Sequence, residues 1–237
     1  MTSTATEAPR APKLRADATR NRERIIAAAR EAFVEYGADA PLDEIARRAG
    51  VGNATLYRNF PDRATLFRAV VLQVKTRILM QAEAALAGDS DPFEALSGFV
   101  HAAADEKLGA LCPMVSGRFD LFDPELVEAR SRLEDSVGRL MDRARESGAL
   151  RPDIGVGDVF VAISQLTRPL PGTACINFAD FVHRHLQLFL DGMRAPAPSV
   201  LPGRAITFED FQHQPPTTAE CPTARPSAPS APSAPSA

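Results

Sequence analysis

Tryptophan is absent from the 237 residues, tyrosine occurs twice and cysteine three times. Cys112, Cys175 and Cys221 are widely spaced, odd in number and form no CxxC pair. That argues against a disulfide framework or a thiolate zinc site and suits a reducing compartment. The four histidines, His101, His183, His185 and His213, make no HExxH arrangement, and GxSxG, P-loop and dinucleotide fingerprints are missing as well. His183 and His185 stand two apart on a predicted helix and so point in different directions, which is poor geometry for shared metal ligation. The reading is therefore not an enzyme, with no cofactor and no metal. No run approaches 18 uncharged apolar residues, and the first twenty hold charges and prolines in place of an apolar signal stretch. A cytoplasmic protein with no membrane partner is expected.

What is present points to helices. A chain with 45% hydrophobic residues can bury a sizeable core, and its abundance of Ala, Leu, Arg and Glu outside the C-terminal tail favours an all-α fold. The net charge of −3 conceals a split. Residues 10–30 carry seven basic side chains (Arg10, Lys13, Arg15, Arg20, Arg22, Arg24 and Arg30) against Asp17 and Glu23, net +5, and residues 1–72 carry 12 basic and 9 acidic groups, net +3. The remainder carries 15 and 21, net −6. A basic unit joined to an acidic one suggests a polyanion partner at one end only.

Residues 1–18 are polar and interrupted by Pro9 and Pro12, and read as a flexible basic arm. Helical periodicity starts near Thr19, with Ile25, Ile26, Ala29, Phe33 and Val34 on one side, and Gly37 stops it. A second, short helix follows Pro41, with Asp43 and Glu44 complementing its dipole. Gly50 to Asn53 breaks the chain, and a two-turn helix from about Ala54 to Asn59 restarts it, anchored inward by Leu56 and Phe60. Alone, a helix of that length is unstable in water, so packing must hold it. A fourth helix runs from near Pro61 to Ala87, and more are expected near 92–109, 123–147, 154–167 and 175–193. Residues 195–237 hold 10 of the 20 prolines and end in an APS repeat, and are expected to form a disordered tail.

Short helix, tight turn and second short helix form the outline of a helix-turn-helix, whose second helix enters the major groove of double-stranded DNA. Thr55, Tyr57, Arg58 and Asn59 crowd hydrogen-bonding groups onto this element, with Arg47, Arg48 and Arg63 flanking it. Phosphate contacts need such donors to set register, and base readout needs a few side chains reaching into the groove, for which Asn53, Ala54, Thr55 and Arg58 are candidates. The alternative is an ordinary helical hairpin with a solvated polar face.

Several spacings then occur in order: AFxxxG at Ala32, Phe33 and Gly37, IAxxAGV at Ile45, Ala46, Ala49, Gly50 and Val51, and TLYxxF at Thr55, Leu56, Tyr57 and Phe60, followed by Arg63, Leu66 and Phe67. The run from Ile25 to Phe67 resembles the N-terminal domain of the TetR family of bacterial transcriptional regulators. The resemblance implies an all-helical homodimer: a three-helix DNA-binding head, here residues 19–65, and a regulatory and dimerisation body, here 66–194. It implies that Thr55 and Tyr57 bind phosphate or the groove wall, that Asn59 lies near a phosphate, that Arg63 anchors helix four to the DNA backbone, and that Arg47 approaches DNA. Gly52 and Ala54 stand where the family usually has serine and glycine, so Asn53 is expected to cap the recognition helix. Ala40, Pro41 and Leu42 replace a customary Thr or Ser at the start of helix two.

In the body, residues 110–122 (ALCPMVSGRFDLF) break the helical pattern. Cys112, Met114, Phe119 and Phe122, with His101 from the preceding helix, are candidates for the wall of a small-molecule pocket; the alternative is core packing at a kink. Phe178, Phe181, Val182, Leu186 and Phe189 make a wide apolar surface that is either buried centrally or packed on a second subunit, and the resemblance favours a dimer interface. The function expected is a homodimeric repressor released from a palindromic operator by an unknown small-molecule effector. The rivals are a helical protein-interaction or scaffold protein, and an activator of the same fold.

Overall fold

The computed structural model describes residues 10–107, 109, 111, 123–168, 179–207 and 210. Eight α-helices are bounded within them: α1 Arg10–Tyr36, α2 Leu42–Ala49, α3 Asn53–Asn59, α4 Arg63–Ala87, α5 Pro92–Asp105, α6 Pro124–Glu146, α7 Val156–Leu166 and α8 Ala179–Met193. No strand forms among the described residues. The all-α reading holds. The flexible arm does not extend to residue 18, because α1 starts at Arg10. Pro12 falls in its first turn, where backbone N–H groups have no intrahelical partner and a missing one costs nothing.

The head is built on the apolar stripe of α1. Ile25, Ile26, Ala29, Ala32 and Phe33 are buried at helical spacing, and Phe33 meets Phe67 of α4 edge to face, with ring centroids 5.3 Å apart. α1 ends at Gly37, whose φ of 72° suits a residue without Cβ. Asp43 and Glu44 at the start of α2, and Arg47 and Arg48 at its end, both oppose the helix dipole. Gly50, with φ of 62°, closes α2 by donating its N–H to the Ala46 and Arg47 carbonyls.

α4 leaves the head and becomes the central rod of the body, packing along α6 and α5. Three of these helices begin alike: Asp62, Asp91 and Asp123 each accept backbone N–H bonds of the first turn, and Pro92 and Pro124 follow the latter two. Ile78 of α4, Phe99 and Ala103 of α5, Leu133 and Val137 of α6, and Val156, Val159, Phe160 and Ile163 of α7 enclose an apolar cavity of about 30 Å³.

One ion pair ties head to body, and a second fixes α4 to α6 just below the head. Arg30 of α1 reaches the buried Glu106 just past α5. Arg68 of α4 grips Asp123, the cap of α6, through Nε–Oδ2 at 2.7 Å and Nη2–Oδ1 at 2.9 Å. The Arg68 guanidinium holds the Asp123 carboxyl down to about 2, and Arg47 and Arg48 do the same for Glu44. Because these folded values lie below the carboxylate value of about 4 in an unfolded chain, the unfolded state takes up more protons on acidification. The stabilisation is complete above about pH 4 and lost as pH falls through about 2. Asp123→Asn is therefore expected to lower the urea midpoint at pH 7 and to shrink its fall between about pH 4 and 2, read by circular dichroism.

The chain after α8 departs from the expected disordered tail over residues 195–207. Ala195 N–H donates to the Ala149 carbonyl at 2.9 Å. The buried Arg151, paired with Asp153, donates to the Ser199 carbonyl at 2.6 Å. Gly157 N–H donates to the Ile206 carbonyl at 3.1 Å, and Asp158 Oδ1 accepts from Ile206 N–H. A Cβ at Gly157 would collide with that carbonyl, so the glycine makes the notch in which the segment lies. The Pro-rich composition conceals this because the partners sit about 50 residues upstream. Residues 208, 209 and 211–237 lie outside the described residues.

Candidate nucleic-acid interface

α3 stands on two side chains. Leu56 and Phe60 are each 1% exposed, pressed into the head, while Asn53, Ala54, Tyr57 and Arg58 are exposed and Thr55 and Asn59 half-buried. On a helix of 3.6 residues per turn Arg58, two positions from both anchors, lies about 200° round from them, and Tyr57, one position after Leu56, lies about 100° round, so burying Leu56 leaves both outside. Among the described residues Tyr57 forms no hydrogen bond. Its phenol is thus available to an external acceptor.

Several neighbours already have partners. Arg58 folds back along α3, donating Nε–H to the Ala54 carbonyl at 3.1 Å and Nη2–H to Thr55 Oγ1 at 3.0 Å. Asn59 donates to the Thr55 carbonyl at 2.8 Å. Asn53 is the first residue of α3 and its Nδ2 donates to Asp43 Oδ1 of α2 at 2.8 Å. It does not cap the helix. Gly52 holds the cap position without any side-chain bond, because Asn53 is already helical and its amide is turned toward α2. Arg47 is exposed and bound to Glu44 through both Nε and Nη2. Arg63 is half-buried and donates Nη1–H to the carbonyls of Ala38 and Ala40. Here it braces the α1–α2 connection.

The periodicity of the sequence missed two contacts that flank α3. The guanidinium of Arg22 in α1 lies 4.4 Å from the centroid of the Phe60 ring. Arg24 donates Nη2–H to the Gly50 carbonyl at 3.2 Å. Both side chains cross 26 residues or more of sequence, and the basic run around them gave no sign of where they would land.

The body's candidates are divided. His101 does not line the apolar cavity. Phe99 and Ala103 do, and His101 lies two residues from each, which turns it to the other side of α5. Its Nδ1 meets His183 Nδ1 of α8 at 2.9 Å, and its Nε2 lies 3.3 Å from Gln187 Oε1. Cys112, Met114, Phe119, Phe122 and Phe178 lie outside the described residues. Of the proposed dimer surface, Leu186 is fully buried within its own chain together with Leu190 and Met193, and Val182 and Phe189 pack partly against the same core. Phe181 is 44% exposed, and Leu188, one heptad on, is 61% exposed. The wide apolar surface of α8 thus serves the chain's own core on one side and leaves a narrower stripe outside. Among the described residues no His, Cys, Asp or Glu cluster could hold a metal, and no helix is long and apolar enough to cross a membrane.

This arrangement of helices recurs in known proteins. Residues 25–70 match the family model described as bacterial regulatory proteins, tetR family, and residues 91–195 match the C-terminal domain of the SbtR-like transcriptional regulators. A TetR transcriptional regulator of Streptomyces coelicolor is 35% identical, with 74% of this chain and 99% of that one aligned and a TM-score of 0.56. A regulator from Mycobacterium vanbaalenii is 31% identical over 77% of this chain and 99% of its own, with a TM-score of 0.55. The regulator LfrR of Mycobacterium smegmatis, solved in complex with proflavine, shares the fold at 22% identity and a TM-score of 0.53. An uncharacterized HTH-type regulator of Mycobacterium bovis is 37% identical over 87 residues, 36% of this chain and 44% of that protein. The chain thus spans less than half the length of the curated relatives it matches. Because head and body are matched separately, and the Streptomyces protein is matched almost end to end, the chain belongs to the TetR family of DNA-binding transcriptional regulators.

Proposed function

We propose that the protein is a homodimeric repressor that holds a palindromic operator through α3 of each subunit and releases it when a small apolar molecule enters the body. The observation that carries the DNA-facing part is the stance of α3: Leu56 and Phe60 inside, Tyr57 and Arg58 outside, on a two-turn element slim enough for the major groove. Asn53, Ala54, Thr55 and Arg58 then face base edges, and Thr55, Tyr57 and Asn59 the phosphates. Arg47 and Arg63 act at a distance, the first through its ion pair with Glu44 and the second by fixing the α1–α2 connection.

The exposed Leu188 and Phe181 stripe of α8 supplies the subunit contact. The cavity of about 30 Å³ is far below the 300–1,000 Å³ typical of an organic ligand site. Binding there would therefore require α4 and α7 to separate, and α4 carries any such shift to the head. A ligand would need to favour the released state about 10⁴-fold to swing occupancy from 99:1 to 1:99.

Selection of bound duplexes from a random pool by the purified protein tests the reading. A consensus of two inverted half-sites is expected. Absence of enrichment, or enrichment of a single unrepeated motif, would overturn it.

A further inference from the structure

The arginines of the head and of the start of α4 fall into two groups. Arg20, Arg30, Arg47, Arg48 and Arg68 each pair with a carboxylate. Among the described residues 17–68, no carboxylate lies at ion-pair distance from Arg22, Arg24, Arg58 or Arg63. Arg63 is half-buried, turned inward onto the Ala38 and Ala40 carbonyls. The three that remain are exposed: Arg58 on α3, Arg22 against Phe60 directly after it, and Arg24 against Gly50 in the turn before it.

Their placement is a bracket. Arg22 and Arg24 are two residues apart on α1, about 200° round the helix, so their side chains leave on opposite flanks. One flank comes down on Phe60, directly after α3, and the other on Gly50, just before it. Arg22 covers the Phe60 ring with one guanidinium face, and Arg24 uses a single N–H on Gly50, so each keeps N–H donors directed to solvent. Glu23 sits between them in sequence, about 100° from each, and pairs with neither.

Resting on the DNA-binding reading above, we infer that Arg22 and Arg24 form a phosphate clamp: with α3 in the major groove, they hold the backbone phosphates at its two ends. The clamp contributes affinity and register but no base preference, since phosphates are alike at every sequence. Aromatic stacking on one side and a carbonyl contact on the other pre-position both guanidinium groups before DNA arrives, which limits the ordering cost on binding.

Neutralising one phosphate contributes about 0.9 to the slope of log K against log salt. The experiment measures that slope for the full chain on a duplex selected by the wild type and on an unrelated duplex, for wild type, for Arg22→Gln with Arg24→Gln, and for Arg22→Lys with Arg24→Lys. Glutamine keeps an amide donor and a packing stem, and lysine keeps the charge. With two clamps in the dimer, the expected result is a slope shallower by about 3.6 for the glutamine pair on both duplexes, with relative preference unchanged, and a wild-type slope for the lysine pair. A glutamine pair that kept the wild-type slope, or a lysine pair that lost it while melting like the wild type, would overturn the clamp and leave the α3 reading intact. A wild type that binds no duplex at low salt would instead overturn the DNA-binding reading of these surfaces.

Discussion

Leu56→Ala is expected to abolish operator binding while leaving the body folded. Leu56 is 1% exposed, and truncating a fully buried leucine costs about 3 kcal/mol. That loss falls on a seven-residue helix fastened by only two buried side chains, Leu56 and Phe60. An isolated helix of two turns has no stability of its own in water, so α3 comes loose before α1, α2 and α4 separate. Phe60→Ala removes a larger side chain, about 4 kcal/mol by the same reasoning, and also the ring on which Arg22 rests. Far-UV circular dichroism should fall only slightly for either variant, because the other helices hold most of the helical residues. Duplex binding should vanish at concentrations that saturate the wild type. A Leu56→Ala protein that bound with wild-type affinity would mean that α3 does not carry the contact.

Five base pairs inserted between the half-sites of the operator are expected to weaken binding by about 10² or more. Two heads fixed in a dimer meet half-sites about 34 Å apart, one helical turn, on one face of the duplex. Five added base pairs turn one half-site to the opposite face, so only one head engages. Losing the second contact removes an avidity gain of about 10²–10⁴. A titration on both duplexes reads this directly, and the proposed subunit contact through the exposed Phe181 and Leu188 is what would fix the spacing. Leu188→Glu should then reduce wild-type binding to the single-head level even on the unaltered operator.

Much of the head could be read from residues alone. The spacing of Ile25, Ile26, Ala29 and Phe33, the stop at Gly37, the break at Gly50 and the anchors Leu56 and Phe60 all recur in the structure, because each is set by local helix geometry and burial. What could not be read depends on contacts between distant segments. Arg63 matches a family position, yet its guanidinium turns to the Ala38 and Ala40 carbonyls, more than twenty residues upstream. Asn53 has the right chemistry for a cap, but Asp43 takes its amide. Leu186 and Phe181 belong to one apolar helix, and only the packing of α5 and α7 on α8 decides that the former faces inward. His101 stands two residues from the cavity-lining Phe99 and Ala103, and that it meets His183 of α8 on the other side of α5 depends on packing between segments 82 residues apart. The C-terminal strap was hidden for a related reason: its composition is that of a mobile tail, while the notch at Gly157 that receives it lies in another helix.

The central claim is that the outward side of α3 touches duplex DNA. A photoreactive benzophenone side chain in place of Tyr57, which is 49% exposed, tests it at a single position, with the same group in place of Met80 of α4, 62% exposed, as the comparison. Irradiation with the selected operator is expected to join the position-57 protein to DNA and leave the position-80 protein unjoined. Equal joining at both positions, or none at position 57 while the duplex is demonstrably bound, would contradict the account.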